Sequence, residues 1–310
     1  MKQYNRRDFL KYCGATAIST ITMPSIGREK TNSSLLQKHI PSSRQLLTVI
    51  GMGTWQTFNV GSDPKLRDSR TAVLDLFFEL GGQMVDSSPM YGSSQQVIGH
   101  GLTKLNYPEN LFSADKIWTS DESATMEQFQ ETASAWRLNQ FDLMQVHNLV
   151  SWRAHLDVLK QMKNDDELKY IGVTTSHGRR HRDLEKIMLS EPIDFVQLTY
   201  SMANRDVEQR LLPIAQERGI AVIANRPFQG GRLIDHLQRK NAALPRFAHE
   251  IQSSNWAQYL LKYVVSHPAI TCAIPATTQL EHMRENMGAA RGILPDSKMR
   301  QQMLAYVNSI

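Results

Sequence analysis

Four side chains in the first half of this 310-residue chain have the types and spacing to put a proton on an oxygen. Asp86, Tyr91, Lys116 and His147 each stand at, or just beyond, the end of a short apolar run that reads as a β-strand. When a hydride adds to a carbonyl carbon, the oxygen becomes an oxyanion that must be protonated as it forms. A phenol with a pKa of about 10 holds its proton tightly, and a nearby ammonium favours the phenolate and brings that proton into play. Tyr91 is therefore expected to be the acid and Lys116 its modulator. A buried ammonium needs a counter-charge, which Asp86 supplies, because an unpaired one is costly. His147 is expected to orient the carbonyl by hydrogen bonding. Singly, each residue has an ordinary alternative role as helix cap, rim aromatic, solvated cation or core histidine. The expectation rests on all four occurring together at successive strand ends.

Strands are expected at 46–52, 83–87, 111–114, 143–146, 170–174, 195–198, 221–224 and 270–275, from short runs of apolar and β-branched residues. Between most of them lie segments with helical spacing, such as Ala72, Leu76, Phe77 and Leu80, or Leu156, Leu159 and Met162. Alternating strands and helices imply parallel pairing through crossover helices. Eight such units over roughly 260 residues fit a closed (β/α)₈ TIM barrel, whose active groups gather at the C-terminal strand ends. An open doubly wound sheet is the competing architecture. It wants a G-x-G-x-x-G turn, and Gly51-Met52-Gly53 runs on into Thr54-Trp55 instead. No repeat or long polar linker divides the body, so residues 31–310 read as a single barrel domain, with 31–44 a connector into a small hairpin closing the barrel bottom.

Residues 1–30 read as a leader. They hold six Lys or Arg against two acidic residues, +4 of the chain's net charge of +5, so the body is nearly neutral. That argues against a nucleic-acid partner, which would want a basic face on the folded domain. Asn5-Arg6-Arg7-Asp8-Phe9-Leu10-Lys11, followed by an uncharged stretch, resembles a twin-arginine export signal. The twin-arginine machinery is thus an expected partner and the periplasm the expected location, with the cytoplasm the alternative if the leader does not function. That stretch is too short and too polar for a convincing membrane span, so no stable membrane insertion of the mature protein is expected. The cysteines, Cys13 and Cys272, offer the body no disulfide framework, and Cys272 reads as a buried small hydrophobe. No metal is expected, because the run His177-Gly178-Arg179-Arg180-His181-Arg182 lacks cysteine or carboxylate ligands at zinc-like spacing. Its arginines oppose a helix dipole and read as a solvated charge run, with an anionic ligand as the alternative.

Several motifs resemble those of the aldo-keto reductase family. They are Gly51-Met52-Gly53-Thr54-Trp55, Asp86-Ser87-Ser88-Pro89-Met90-Tyr91-Gly92, Phe112-Ser113-Ala114-Asp115-Lys116, and the strand from Asp142 to His147. The likeness runs from Val49 to Ala289. It implies that Asp86, Tyr91, Lys116 and His147 form the family's tetrad, that Gln197 supports a nicotinamide, and that Ile274-Pro275-Ala276-Thr277-Thr278 with Glu285 and Asn286 holds the phosphates and adenine. Thr278 followed by Glu281 also has capping-box spacing, so a helix offering its N-terminus to an anion is expected there. Gly53, Thr54, Thr174, Thr175, Asn225, Arg226 and His282 complete the expected cofactor site, and Trp55 is expected to line the substrate pocket.

Five residues depart from the family pattern. Thr174-Thr175 replaces the frequent Ser-Asn after the fifth strand, Asn225 replaces the stacking aromatic after the seventh, and Ala276 and His282 stand where Lys and Arg commonly meet a ribose phosphate. NADP(H) is expected from the resemblance, NAD(H) being the alternative, and His282 is the residue left to contact phosphate. Arg226 is expected either to clamp a substrate carboxylate or cofactor phosphate, or to form a surface ion pair. The resulting expectation is a reductase acting on a small-molecule carbonyl substrate, or running in reverse on the alcohol. The rivals are a cofactor-binding sensor or accessory subunit, and a hydrolase using a carboxylate pair, which a single strand-end Asp86 does not favour.

Overall fold

The computed structural model describes residues 34–310. Arg6, Arg7, the uncharged stretch after them and Cys13 lie outside the described residues. The described chain starts with an antiparallel hairpin, β1 (Gln37–His39) and β2 (Leu46–Thr48). Its buried Ile40 and Leu47 pack into the interior cluster at the barrel's lower end. The run 46–52, expected as one strand, is therefore divided, and only β3 (Met52–Gly53) and a bridge from Ile50 to Ala273 join the barrel. The cause is Gln83, whose side-chain oxygen accepts from both the amide (2.7 Å) and the hydroxyl (2.9 Å) of Thr48. The backbone donor that would continue a ladder is thus taken by a side chain.

The rest alternates. In chain order follow α1 (Pro64–Glu79), β4 (Met84–Asp86), α2 (Ser94–Lys104), β5 (Phe112–Ile117), α3 (Thr125–Trp136), β6 (Phe141–Val146), α4 (Trp152–Asn164) and β7 (Leu168–Thr174). Then come α5 (His181–Ser190), β8 (Phe195–Thr199), α6 (Leu211–Arg218), β9 (Ala221–Asn225), α7 (Arg232–Arg239), α8 (Trp256–Val265), β10 (Ile270–Ala273), α9 (Leu280–Gly288) and α10 (Ser297–Asn308). Strands β3 to β10 pair in sequence order, all parallel. Val49 and Gly51 close the ring against Ala273 through two backbone bonds of 2.9 Å. The architecture is a (β/α)₈ barrel. Helix α1 shows how local sequence sets an element: Asp63 accepts the Leu66 amide at 3.0 Å, Pro64 opens the first turn, and Val73, Leu74 and Phe77 form the buried stripe.

Period-two alternation puts every second strand residue inside the barrel. Along β5 these are Phe112, Ala114 and Lys116, and along β8 Phe195, Gln197 and Thr199. The lower layer is aromatic: Phe112, Tyr170 and Phe195 meet with ring centroids 5.4–6.1 Å apart. Each ring buries roughly 150–250 Å², about 4–6 kcal/mol of gross burial, so this layer is a solid base for what lies above it. Cys272 is a free, fully buried thiol in the same interior cluster. Toward the C-terminal strand ends the interior becomes polar, with Lys116 on β5 and Gln197 and Thr199 on β8, and that change in composition builds the site. Among the described residues no helix is long and apolar enough to cross a membrane.

Candidate active site

Lys116, Asp86, Tyr91 and His147 converge at the C-terminal ends of β4, β5 and β6. The Lys116 ammonium donates to Asp86 Oδ2 and to the Ser87 carbonyl, each at 2.6 Å, and both ion-pair partners are buried. Asp86 Oδ1 accepts from Gln197 (2.8 Å) and from Gln145 (3.5 Å). The carboxylate is thus held on both oxygens by three strands. Tyr91 sits in a 3₁₀ turn, Pro89–Tyr91, begun by Ser88. Its ring centroid is 5.3 Å from Lys116 Nζ and 5.7 Å from the His147 ring, which meets it edge-on. The turn is pinned from behind, where Asn59 Oδ1 accepts from the amide (3.0 Å) and hydroxyl (3.1 Å) of Ser93. Gly92 has φ +63°, and any Cβ there would collide with the Asn59 side chain.

The electrostatics differ from the sequence expectation in one respect. Burial pushes the Tyr91 hydroxyl up to about 12, and the Lys116 charge only partly offsets it. The lysine therefore does not bring the phenol below its ordinary range, because removing a phenolate from water costs more than the cation returns. Tyr91 stays protonated throughout the physiological range, as an acid must. Burial alone would lower Lys116, but the charge of Asp86, which also hydrogen-bonds it, leads the effects that outweigh burial and hold the ammonium above its ordinary value. His147 goes the other way: burial first, and then Lys116, push it down to about 2, so its imidazole is neutral.

Asp86, Tyr91 and His147 form the floor of a cavity of about 660 Å³, a size suited to a bound small molecule. Gly53, Thr54, Trp55, Asp86, Tyr91, His147, Thr174, Thr175, Gln197, Asn225, Arg226, Thr277, His282, Glu285 and Asn286 all line it. Lys116 and Thr278 do not. The cavity runs from the tetrad past Thr175, Gln197 and Asn225 to α9. Thr175 supplies a test of fit for a nicotinamide: the residue lines the cavity, and its hydroxyl is buried with no hydrogen-bond partner among the described residues. An orphaned hydroxyl is costly unless a ligand satisfies it, and a carboxamide has both a donor and an acceptor to offer.

Other expected cofactor residues have their polar atoms already engaged. The Thr54 hydroxyl donates to the Asp86 carbonyl at 2.8 Å. Gln197, which lines the cavity, donates to Asp86 and accepts from Asn225 at 3.4 Å. Asn225 donates to the Thr175 carbonyl (2.9 Å) and accepts from Thr199 (2.7 Å), so it is immobilised where the family has a stacking ring. The Thr278–Glu281 capping box does not form. Thr277 Oγ1 accepts the Gln279 amide at 3.1 Å, a local turn that delays the helix and makes Gln279, not Thr278, the residue before α9. Arg226 has φ +54° and no carboxylate partner among the described residues; its guanidinium stands 5.5 Å over Trp55. The surface ion pair weighed for it is not made.

Three contributors were not singled out from the sequence. Asp115, whose pKa burial raises to about 7, accepts from Trp136 (2.6 Å) and Gln95 (3.0 Å) behind the barrel wall, tying α2 and α3 to the strand that carries Lys116. Arg180, from the basic run, donates to the carbonyls of Asn148 (3.1 Å) and Leu149 (3.0 Å) and braces the left-handed backbone that follows His147. Gln145 lies two residues from His147 on one inward row, a signal that period-two counting could have used. Among the described residues no group of three or more His, Cys, Asp or Glu is placed to hold a metal ion.

A model of the Aldo/keto reductase family matches residues 49–303. The chain is 26% identical over 267 residues to the methylglyoxal reductase YeaE of Escherichia coli (strain K12), covering 84% of this chain and 91% of that protein. It superposes on a holo-form aldo-keto reductase from Bacillus halodurans with a TM-score of 0.73, at 16% identity and covering 88% of this chain and 96% of that one. An aldo-keto reductase from Klebsiella pneumoniae, in complex with NADPH, gives a TM-score of 0.72 at 20% identity, with 88% and 96% covered.

Proposed function

The chain belongs to the aldo/keto reductase family, and on that premise we propose that it reduces a small aldehyde or ketone with NADPH, using Tyr91 as the general acid. A bound nicotinamide would supply the hydride. The chain's own residues do the rest. Tyr91 passes its hydroxyl proton to the carbonyl oxygen, and Lys116 stabilises the phenolate left behind. Asp86, held by Gln197 and Gln145, keeps Lys116 charged and in place. His147 orients the carbonyl. The observation that carries this reading is the Lys116–Asp86 pair, 2.6 Å apart in a fully buried position directly beneath Tyr91. A buried ion pair costs several kcal/mol in desolvation, an expense that a floor of apolar residues would avoid.

Thr175 is the residue proposed to hold the carboxamide, and Thr277, His282, Glu285 and Asn286 the adenosine end. NADPH is proposed ahead of NADH because the Klebsiella pneumoniae relative is complexed with it. The name of the Escherichia coli relative makes methylglyoxal the first substrate to try. The test is a stopped-flow titration with NADPH and NADH, followed by turnover of methylglyoxal and a panel of aldehydes and ketones. Tyr91→Phe is expected to lower kcat/KM by about 10²–10⁴-fold while NADPH binding stays within about twofold. Absence of any nicotinamide binding, or full activity in Tyr91→Phe, would sink the proposal.

A second reading, a cofactor-binding sensor or accessory subunit with little turnover, is favoured by Asn225, whose fixed amide stands in place of a ring that would stack on the nicotinamide. Tight NADPH binding without turnover across the panel would select it. We further propose export by the twin-arginine route on the strength of Arg6, Arg7 and the uncharged stretch after them. Replacing both arginines by lysine should hold the protein in the cytoplasm, and unchanged periplasmic recovery would refute the signal.

A further inference from the structure

His147 has two ring nitrogens and, being neutral, a single proton to place between them. Nδ1 lies 2.7 Å from the Ser88 hydroxyl oxygen, and that oxygen also accepts the Met90 amide at 3.2 Å. Ser88 is fully buried. A hydroxyl has one hydrogen to give. If Nδ1 carried the imidazole proton, Ser88 would accept twice and its own hydrogen would face a buried site with no further acceptor among the described residues. In the opposite arrangement every group is satisfied: Met90 donates to Ser88, Ser88 donates to Nδ1, and the imidazole proton resides on Nε2.

We propose that Ser88 is a positioning residue that fixes His147 as its Nε2–H tautomer, so that the histidine meets the carbonyl oxygen as a hydrogen-bond donor. The inference rests on the reductase reading for its functional consequence, though not for the tautomer itself. It also divides the labour on the floor. A neutral imidazole donating through Nε2 polarises the carbonyl but keeps its proton, because giving it up would leave an imidazolate. The transferred proton then comes from Tyr91. The Nδ1–H tautomer would instead turn a lone pair toward the substrate oxygen and repel it. Ser88 thus acts at a distance, through which nitrogen is protonated, and touches no substrate.

The decisive measurement is the ¹⁵N spectrum of histidine-labelled full-length protein, with His147 assigned by its loss in His147→Asn. A protonated Nε2 and an unprotonated Nδ1 are expected in the wild type. In Ser88→Ala the two tautomers should mix, kcat should fall about tenfold with KM and NADPH affinity little changed, and Ser88→Thr should restore both the spectrum and most of the rate. A wild-type spectrum with the proton on Nδ1 overturns the proposal outright, even if Ser88→Ala fails to fold. So does a Ser88→Ala protein that keeps a pure Nε2–H signal and full kcat. Full activity in Tyr91→Phe would instead remove the proton-donor reading while leaving the tautomer assignment standing, so the two failures are distinguishable.

Discussion

Lys116 and Lys262 are both fully buried, yet they sit in opposite electrostatic settings. Lys116, inside the barrel, donates hydrogen bonds to a carboxylate and a carbonyl and is held above its ordinary pKa. Lys262, on α8 in the outer layer, meets only the carbonyls of Ile251 and Ile293, the latter at 3.1 Å, and burial pulls it down to about 8. Lys38 repeats the second pattern beneath the barrel, donating to the carbonyls of His267 (2.8 Å) and Ile270 (2.6 Å), with burial again lowering it to about 8. Burial of a cation therefore does not mark a site. A full counter-charge, and a titrating neighbour that reaches the cavity, separate Lys116 from the other two. Carbonyl dipoles are enough to place a lysine; the negative charge of Asp86 is what keeps one charged beside Tyr91.

Replacing each lysine by methionine puts this contrast to the test, and the largest effect belongs to Lys116→Met. Steady-state kcat/KM should fall by about 10²–10⁴-fold, as for loss of an acid–base group, because the departing tyrosine proton leaves an unsupported phenolate. Stability should fall as well, by about 3–5 kcal/mol in urea unfolding, since Asp86 is left buried without its partner. The double variant Asp86→Asn, Lys116→Met should recover most of that stability and none of the activity. If the double variant remains as unstable as the single one, the pair is not the organising charge of the floor.

How far this contrast was legible beforehand depends on where a residue's partners lie. The strand runs and the inward positions of Asp86, Lys116 and His147 follow from period-two alternation, which is a local property. Lys262 gave no such sign: it lies in an apolar helix and its partners, Ile251 and Ile293, come from segments on either side of it. The same distance hid the Gln83 side chain that divides the run 46–52, the Asp86–Gln197 bond across 111 residues, and the brace from Arg180 to the loop after His147. Thr278 was misplaced for the reverse reason. Its capping spacing was genuine, but a neighbouring hydroxyl, Thr277, made the competing local bond first. The Ser88–His147 bond needed both kinds of knowledge, a strand end and a turn 59 residues apart.

The smallest effect expected is that of Lys262→Met at neutral pH, and its dependence on pH is the more informative measurement. Activity should be unchanged, since Lys262 does not line the cavity and its ammonium bonds only the carbonyls of Ile251 and Ile293. At pH 7 the variant orphans two carbonyls but removes a cation that was costly to bury, so the net loss should be about 1 kcal/mol. Lys262 has its folded pKa depressed to about 8 from 10.5. Below pH 8 both folded and unfolded chains hold the proton, and the folded state bears the whole cost of the buried charge. Between 8 and 10.5 the unfolded chain binds more protons, so wild-type stability gains from this group as pH rises. Cys272, raised by burial, works in the opposite direction above about 9. Subtracting the variant from the wild type cancels that background. The difference in unfolding free energy should therefore widen by about 2–3 kcal/mol between pH 7 and pH 10. A difference that stays flat would mean that Lys262 keeps an ordinary pKa despite its burial, and that the carbonyls alone support a full charge. Asp86 would then be unnecessary to hold Lys116 charged, and the contrast between the two lysines would fail.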